Sequence, residues 1–220
     1  MNILITGGCG FIGSNLIKFI LEQKADEVSK VVNLDSLTYA ADLKNTDEFI
    51  SNPKYSFAKI DLCDIENLRG AIHNHKITHI IHLAAESHVD NSIKDASAFI
   101  QSNIVGTFNL LKMCMEFDIQ RFHHVSTDEV YGDLGPTGKF DERKIPLYGH
   151  GTNIRDWIYV EDHCSAVWDV FTKGRPGETY CIGSDCEKKN IEVIEEICGI
   201  MNVIPSESVE YVKDRLGHDQ

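Results

Sequence analysis

No stretch of this 220-residue chain is apolar for long enough to span a bilayer. Its start, Met1-Asn2-Ile3-Leu4-Ile5-Thr6, lacks the charged head and long apolar core of a secretory leader and reads instead as a first strand. These absences predict a cytoplasmic protein with no membrane partner. Cysteine pairs are missing too: the seven cysteines (9, 63, 114, 164, 181, 186 and 198) are odd in number and scattered, with no Cys-x-x-Cys. That pattern fits reduced thiols better than a disulfide framework or a zinc site. Positive charge is scarce, with 21 Lys and Arg against 34 Asp and Glu and a net charge of −13, which argues against nucleic acid as a partner. An anionic small molecule remains compatible, because a few arginines and helix N-termini act locally. His73, His75, His79 and His82 straddle a helix end and a strand whose side chains diverge, so they read as surface and core histidines and no metal is expected. No repeat, low-complexity run or flexible linker interrupts the chain. With 42% apolar and 25% charged residues, it has the composition of one soluble domain, alone or with a small appendage.

What is present begins with strand, glycine loop and helix: Asn2 to Ile5, then Thr6-Gly7-Gly8-Cys9-Gly10-Phe11-Ile12-Gly13, then Ser14 to Gln23. Gly7 permits a tight turn, Gly10 lets a pyrophosphate approach the backbone, and Gly13 lets the helix pack closely on the strand. Phe11, Ile12, Leu16, Phe19 and Ile20 form an apolar face at helical spacing. A glycine pattern alone is also compatible with a plain turn. Here a second strand, Lys30 to Leu34, ends in Asp35, 22 residues beyond Gly13. A carboxylate there accepts both hydroxyls of an adenosine ribose and repels a 2′-phosphate, and Ser36, Leu37, Thr38 and Tyr39 include no cation to welcome one. The expected cofactor is therefore NAD rather than NADP.

The alternation continues with a strand over Tyr55 to Ile60, ending at Asp61-Leu62, which would frame the adenine. A helix over Ile65 to His75 follows, then a strand over His79 to Ala85 whose small last residues, Leu83-Ala84-Ala85, admit close approach of a cofactor. A long helix is expected over 96–117, with Phe99, Asn103, Thr107, Leu110, Leu111 and Cys114 near one side, and a fifth strand over Arg121 to Val125. Regular alternation of this kind means an α/β fold with a doubly wound parallel sheet. The fifth strand opens into Ser126-Thr127-Asp128-Glu129-Val130-Tyr131-Gly132. Two adjacent acids at the carboxyl end of such a strand suit a site in which one donates a proton and the other accepts one. Taken alone, they also fit a solvated loop start or a helix cap.

On these residues, together with Asp35 to Ala40, His82-Leu83-Ala84-Ala85-Glu86-Ser87-His88-Val89-Asp90, Ile154 to His163 and Asp214 to Asp219, the chain resembles the dTDP-glucose 4,6-dehydratase family of extended short-chain dehydrogenases/reductases. The glycine motif marks the whole superfamily; the Asp-Glu pair is the specific part. The resemblance implies a Rossmann-type domain over 1–142 and a small C-terminal α/β substrate cap over 143–220. It implies a nucleoside-diphosphate sugar as substrate and a homodimer. The implied chemistry is oxidation at C4 of the sugar, loss of water across C5 and C6, and hydride return to C6. Glu129 would remove the C5 proton, Asp128 would protonate the departing C6 hydroxyl, and Thr127 would hydrogen-bond the C4 oxygen. Ser87 would touch both substrate and nicotinamide ribose, and Ser102, Phe11 and Ile12 would join the cofactor contacts. Arg155, Asn190, Arg215 and His218 would hold the diphosphate. A guanidinium suits phosphate, but Arg155 and Arg215 also stand beside Asp156 and Asp214 as surface ion pairs would, and Asn190 also fits a helix cap.

One family feature is missing. The superfamily carries a Tyr followed four residues later by Lys, on a helix well after Tyr131-Gly132. Here residues 135–142 run almost directly into 143–151, with the apparent junction near Glu142 to Ile145. No helix or strand pattern is evident from Asp133 to Thr152. Tyr55 and Lys59 match the spacing but lie in the third strand, away from the nicotinamide. Further on, a helix is expected over Glu161 to Thr172, a strand over Thr179 to Ile182 and a helix over 191–201. Cys181 replaces the family's usual Asn and Leu216 its usual Pro, and the family continues beyond Gln220. Besides a 4,6-dehydratase, the sequence leaves open a sugar-nucleotide 4-epimerase or decarboxylase, both disfavoured by Asp128-Glu129, and an inactive NAD or nucleotide-sugar binding variant.

Overall fold

Ile3, Leu4, Ile5 and Thr6 are wholly buried, because β1 (Asn2–Thr6) is the middle strand of a parallel sheet covered on both faces. The computed structural model describes residues 1–88, 92, 95–127 and 145–212. Around β1 stand β2 (Lys30–Asp35), β3 (Tyr55–Lys59), β4 (His79–His82) and β5 (Arg121–His124), in the order β3-β2-β1-β4-β5. All pairs are parallel, with Thr6 opposite Leu34 on one side and His82 on the other. The chain reverses direction across the sheet between β1 and β4, which is the switch point where such folds bind ligands. The structure is therefore the α/β Rossmann-type fold that the alternation predicts.

One face of the sheet is covered by α2 (Ile65–His75) and α4 (Thr107–Glu116), which bring Leu68, Ile72, Leu110 and Met113 onto Leu4, Val32, Leu34 and Ile80. Asp64 caps α2 by accepting from the Asn67 N–H at 3.2 Å, and Lys76 ends it in the left-handed conformation. The single long helix expected over 96–117 runs without interruption from Ser97 to Glu116, but its middle is π-helical. It runs as α3 (Ser97–Phe99), a π-helical stretch over Ile100–Gly106 and α4. The wider π turn shifts the phase of the faces, so Leu111 is exposed while Asn109 and Met113 are buried.

The other face carries α1 (Phe11–Gln23) and α5 (Val160–Lys173). Cys164, Val167, Trp168 and Phe171 form the buried stripe of α5, and the Phe171 ring meets His79 and His123 edge-on. From β5, Arg121 reaches the last turn of α5: Nη1 donates to the Phe171 carbonyl and Nη2 to the Gly174 carbonyl at 2.9 Å. This helix, expected in the cap, therefore clusters with the sheet in a unit of residues 1–126 and 160–180. Its apolar stripe is what selects that partner. In α1 the expected apolar face is corrected at its start: Phe11 is 71% exposed and Ile12 is also exposed, because the first turn lies beyond the carboxyl end of the sheet.

A second unit comprises residues 127–159 and 181–220. The boundary expected at 142/143 lies outside the described residues. Here β6 (Ile145–Tyr148) pairs in parallel with β9 (Val209–Val212), and β7 (Ile154–Asp156) pairs antiparallel with β8 (Glu187–Lys189). Leu147, Ile194, Cys198 and Val209 form a small core beneath α6 (Asn190–Met201), and α7 (Pro205–Ser208) leads into β9. Three expectations change. The strand β6 falls where no pattern was evident, because its pairing partner lies some sixty residues away. Thr179 to Ile182 is not a strand. Asn190 is not the cap of α6 but its first residue: Lys189 precedes the helix, its N–H bonded to Glu192 Oε2 at 2.8 Å.

His82 ties the first unit together. Thr6 Oγ1 accepts from the Ala84 N–H at 3.2 Å, so its own proton points to His82 Nδ1 at 2.7 Å. The ring then carries its proton on Nε2 and donates to Thr107 Oγ1 at 2.9 Å. Burial, with a smaller contribution from His124, pushes this imidazole down to about 4. The unfolded chain, with an ordinary histidine near 6.5, takes up a proton first as pH falls. The stability contributed by neutral His82 is thus fully present above about pH 6.5 and lost towards pH 4, up to about 3 kcal/mol. Urea unfolding at pH 7.5 and 5 should show a clear loss on acidification. In His82→Gln the protein should start less stable but lose less; equal losses in both would remove His82 from the effect.

Candidate functional site

The loop after β1 is built from glycines with different duties. Gly7 has φ +74°, and its N–H donates to the Leu34 carbonyl at 2.9 Å. A Cβ at Gly7 would also lie 2.8 Å from both Cα and N of Ala84, backbone that cannot yield. The backbone after β4 therefore closes directly on this loop. A Cβ on Gly13 would lie 2.2 Å from the Gly7 carbonyl oxygen. So Gly13 seats α1 on the loop, and not on the strand as the motif suggests. Gly8, which the motif does not single out, is equally tight, 2.2 Å from Asn33 Oδ1. Gly10 is different: its Cβ would meet only the Gly7 oxygen, at 3.4 Å. It is the N-cap residue of α1, and no side chain caps the helix. An uncapped helix start with an open glycine in front suits a pyrophosphate.

Asp35 ends β2, nearly buried, with both carboxylate oxygens engaged: Oδ2 accepts from the Cys9 N–H at 2.9 Å and Oδ1 from the Leu37 N–H at 2.8 Å. Each oxygen keeps a lone pair for a ribose hydroxyl. Leu37 takes φ +59°, Ser36 is half-buried and Thr38 is exposed. Beside them the Tyr39 ring meets His88 edge-on at 6.2 Å. Asp61 is exposed, its Oδ1 accepting from Cys63 N–H at 2.8 Å. Leu62 is buried in the core and its carbonyl accepts from Asn109 at 2.9 Å. Its side chain therefore packs inward, so only Asp61 and the backbone of this pair face a ligand. These residues fit a dinucleotide.

On the β4 side, Leu83 and Ala84 are half-buried and Ala85 and Ser87 exposed. Asn103, read from the sequence only as part of a helix face, holds Glu86 at both ends. Its Oδ1 accepts from Glu86 N–H and its Nδ2 donates to the Glu86 carbonyl, each at 2.8 Å. Asn103 and half-buried Ser102 both lie in the π-helical stretch, so that irregular turn sets the backbone just before Ser87. Tyr55 and Lys59 form no catalytic pair. Tyr55 is buried, its hydroxyl accepting from Asn33 at 3.0 Å, while Lys59 is exposed.

Thr127 is exposed, and Asp128, Glu129, Arg215 and His218 lie outside the described residues. In the second unit the β7–β8 pair sets Arg155 opposite Lys188, with Asn190 two residues further on. Arg155 Nη1 donates to its neighbour's carbonyl, Ile154 O, at 2.7 Å. Asp156 accepts from the Ser184 N–H at 2.6 Å, the Ser184 hydroxyl at 2.5 Å and the Cys186 N–H at 2.9 Å. These donors, Ser184 foremost, hold its carboxyl below the usual carboxylate range. Sequence spacing carries no signal for that turn, because its partners are about thirty residues apart.

The family described as GDP-mannose 4,6 dehydratase matches residues 4–145 and 137–217. The chain is similar to a dTDP-glucose 4,6-dehydratase of Haemophilus influenzae, 36% identical over 300 residues that cover 100% of this chain and 88% of that protein. It is also similar to that of Neisseria meningitidis, 36% identical over 298 residues covering 99% and 83%. Among solved structures, the dTDP-glucose 4,6-dehydratase of Streptomyces venezuelae with NAD and TYD bound superimposes with a TM-score of 0.88 at 31% identity, covering 100% of this chain and 86% of that one. A UDP-glucose 4-epimerase of Thermus thermophilus shares the fold, at 21% identity and a TM-score of 0.75. Alignments of 300 residues against a chain of 220 mean that the relatives carry internal residues this chain does not. The two family matches meet within 137–145, where the sequence pattern lapses.

The glycine geometry separates stability from binding. Gly13→Ala should cost about 1–3 kcal/mol in urea unfolding, since backbone must move. Gly10→Ala should stay within about 1 kcal/mol of the parent, yet weaken NAD markedly in a calorimetric titration, because its methyl stands on the open side. Equal effects of the two on both measurements would refute this division.

Proposed function

The chain belongs to the dTDP-glucose 4,6-dehydratase family, and from that premise we propose that it is an NAD-dependent dehydratase of a nucleoside-diphosphate hexose, with dTDP-glucose as substrate. The observation that carries this reading is the likeness to 4,6-dehydratases along the whole chain. When bound, NAD supplies the redox partner that accepts two electrons from the sugar and later returns them. Gly7, Gly10, Phe11, Ile12 and Gly13 hold its pyrophosphate and Asp35 its adenosine ribose, with Ser36, Leu37 and Thr38 alongside. Asp61 and the Leu62 backbone border the adenine. Leu83, Ala84, Ala85, Ser87 and Ser102 line the way to the nicotinamide.

A ketone at C4 acidifies the C5 proton. Glu129 takes that proton, and Asp128 protonates the C6 hydroxyl as it leaves, so each adjacent acid has a separate task. Thr127 donates to the C4 oxygen and Ser87 orients the sugar. Arg155, Asn190, Arg215 and His218 bind the diphosphate, so residues 1–142 serve mainly the cofactor and 143–220, apart from α5, which covers the sheet, the sugar nucleotide. The protein works in the cytoplasm as a homodimer. Supporting the homodimer, Ile100, Ile104, Phe108, Leu111 and Met115 form an exposed apolar row along the helix that follows β4, a face a second copy would cover.

A second reading has an observation of its own. The one Tyr with Lys four residues on is Tyr55, which the core absorbs. A chain without a C4 base would bind NAD and nucleotide sugar without turnover. Incubation with dTDP-glucose deuterated at C4 separates the two. Label at C6 of a 4-keto-6-deoxy product is expected. A C4 epimer would sink the dehydratase reading, and NAD binding without product would establish the non-catalytic one. In the active case Glu129→Gln should still allow some C4 oxidation but abolish exchange of the C5 proton with solvent. Exchange at the parent rate would remove Glu129 from its role.

A further inference from the structure

Cys9 sits between Gly8 and Gly10 in the phosphate-binding loop, wholly buried, and each of its polar groups is held by a different partner. Its N–H donates to Asp35 Oδ2 at 2.9 Å. Its thiol accepts from Asn33 Nδ2 at 3.4 Å. Its carbonyl accepts twice, from the Asp42 N–H at 3.2 Å and from Asn45 Nδ2 at 2.9 Å. The last two donors come from the 3₁₀ stretch Leu43–Phe49 and the residue that caps it, Asp42, whose carboxylate accepts from Lys44 N–H at 2.9 Å. No part of the glycine motif or of the Asp35 signal points to this stretch.

The Cys9 carbonyl and the Gly10 N–H belong to one planar peptide. Fixing the carbonyl with two donors therefore fixes the N–H, which donates back to the Gly7 carbonyl at 3.2 Å. That peptide sets Gly10 as the N-cap, and the Gly10 carbonyl takes the first helical bond, from Ser14 at 3.0 Å. The direction of the first-turn N–H groups of α1 thus depends on which way the Cys9 carbonyl faces. The Asp42 backbone donor survives any substitution at 42 except proline, so the side chain whose removal takes one of the two donors from this peptide is Asn45. It is itself exposed, which makes it unimportant to the core.

We propose that Asn45 is a positioning residue for the dinucleotide: through the Cys9 carbonyl it pre-orients the glycine loop and the start of α1 for the pyrophosphate. It does not touch the cofactor. Its contribution is to spare the ligand the ordering of that loop. The inference rests on the dinucleotide reading of the site given above.

Calorimetric titration of the full chain with NAD tests both. Asn45→Leu, nearly isosteric but without a donor, should raise the NAD Kd roughly three- to tenfold, the effect of one lost hydrogen bond. Asn45→Gln, which keeps the amide, should stay within roughly twofold. The urea midpoint of Asn45→Leu should fall only slightly, as the loss of one hydrogen bond at an exposed residue allows, that of Asn45→Gln should match the parent, and kcat at saturating NAD should be unchanged where the parent turns over. NAD binding to Asn45→Leu with parent affinity overturns the positioning role while leaving the dinucleotide site standing. Loss of affinity only in step with loss of stability makes Asn45 merely structural and overturns it too. Should Asn45→Leu not fold, Asn45→Ala is read against the same criteria. A parent chain that binds no NAD overturns the dinucleotide reading and this inference with it.

Discussion

Backbone resting on backbone at the carboxyl end of β1 is the constraint on which the rest of this molecule depends. Gly7 lies so close to Ala84 that no side chain fits between them, and Gly13 lies as close to Gly7. Three consequences follow from that one contact. The loop must use glycine, the backbone after β4 must pass directly against it, and α1 must start directly above the strand with no side chain capping it. A helix start without a side-chain cap, the kind that suits an anion, is thus a by-product of how tightly the central strands approach.

Around that contact most polar groups are satisfied within the protein; buried Asn33 Oδ1, against Gly8, is an exception. Thr6, His82 and Thr107 form a chain of hydrogen bonds under the loop, and Asp35, Asn33, Asp42 and Asn45 surround Cys9 within it. Asp35 is the clearest case of one residue with two duties. The carboxylate suited to a ribose is also the acceptor that orders Cys9 and Leu37. A strongly acidic chain can therefore host an anionic cofactor, because its negative groups near the loop are already paired with backbone N–H donors.

The legible parts were those governed by local chemistry. Five strands, the bounds of α2, the glycine loop and Asp35 follow from periodicity, caps and spacing. What escaped depends on distant partners or on a break in period. The π-helical stretch keeps an apolar composition while shifting its phase, so Leu111 faces out. β6 exists because β9 pairs with it, and Thr179 to Ile182, β-rich in composition, pairs with nothing as a strand among the described residues. α5 was legible as a helix but not as a cover for the sheet; Arg121 and Phe171 bind it there from positions fifty residues apart.

By itself, then, the sequence determined the fold class and the place of the glycine loop, and through Asp35 and the absence of cations at 36–39 it pointed to NAD. It also carried the adjacent Asp128-Glu129 pair on which the resemblance to the family rests. Tertiary structure alone decided which glycine is open to a ligand and which is sealed by backbone, that Leu62 turns into the core, that Asn103 holds the residue before Ser87, and that Asn45 reaches the Cys9 carbonyl. The physical reason is the same in each case. Propensity and periodicity act over a few neighbouring residues, whereas close approach and hydrogen-bond partnership are settled by segments that meet only when the sheet has formed.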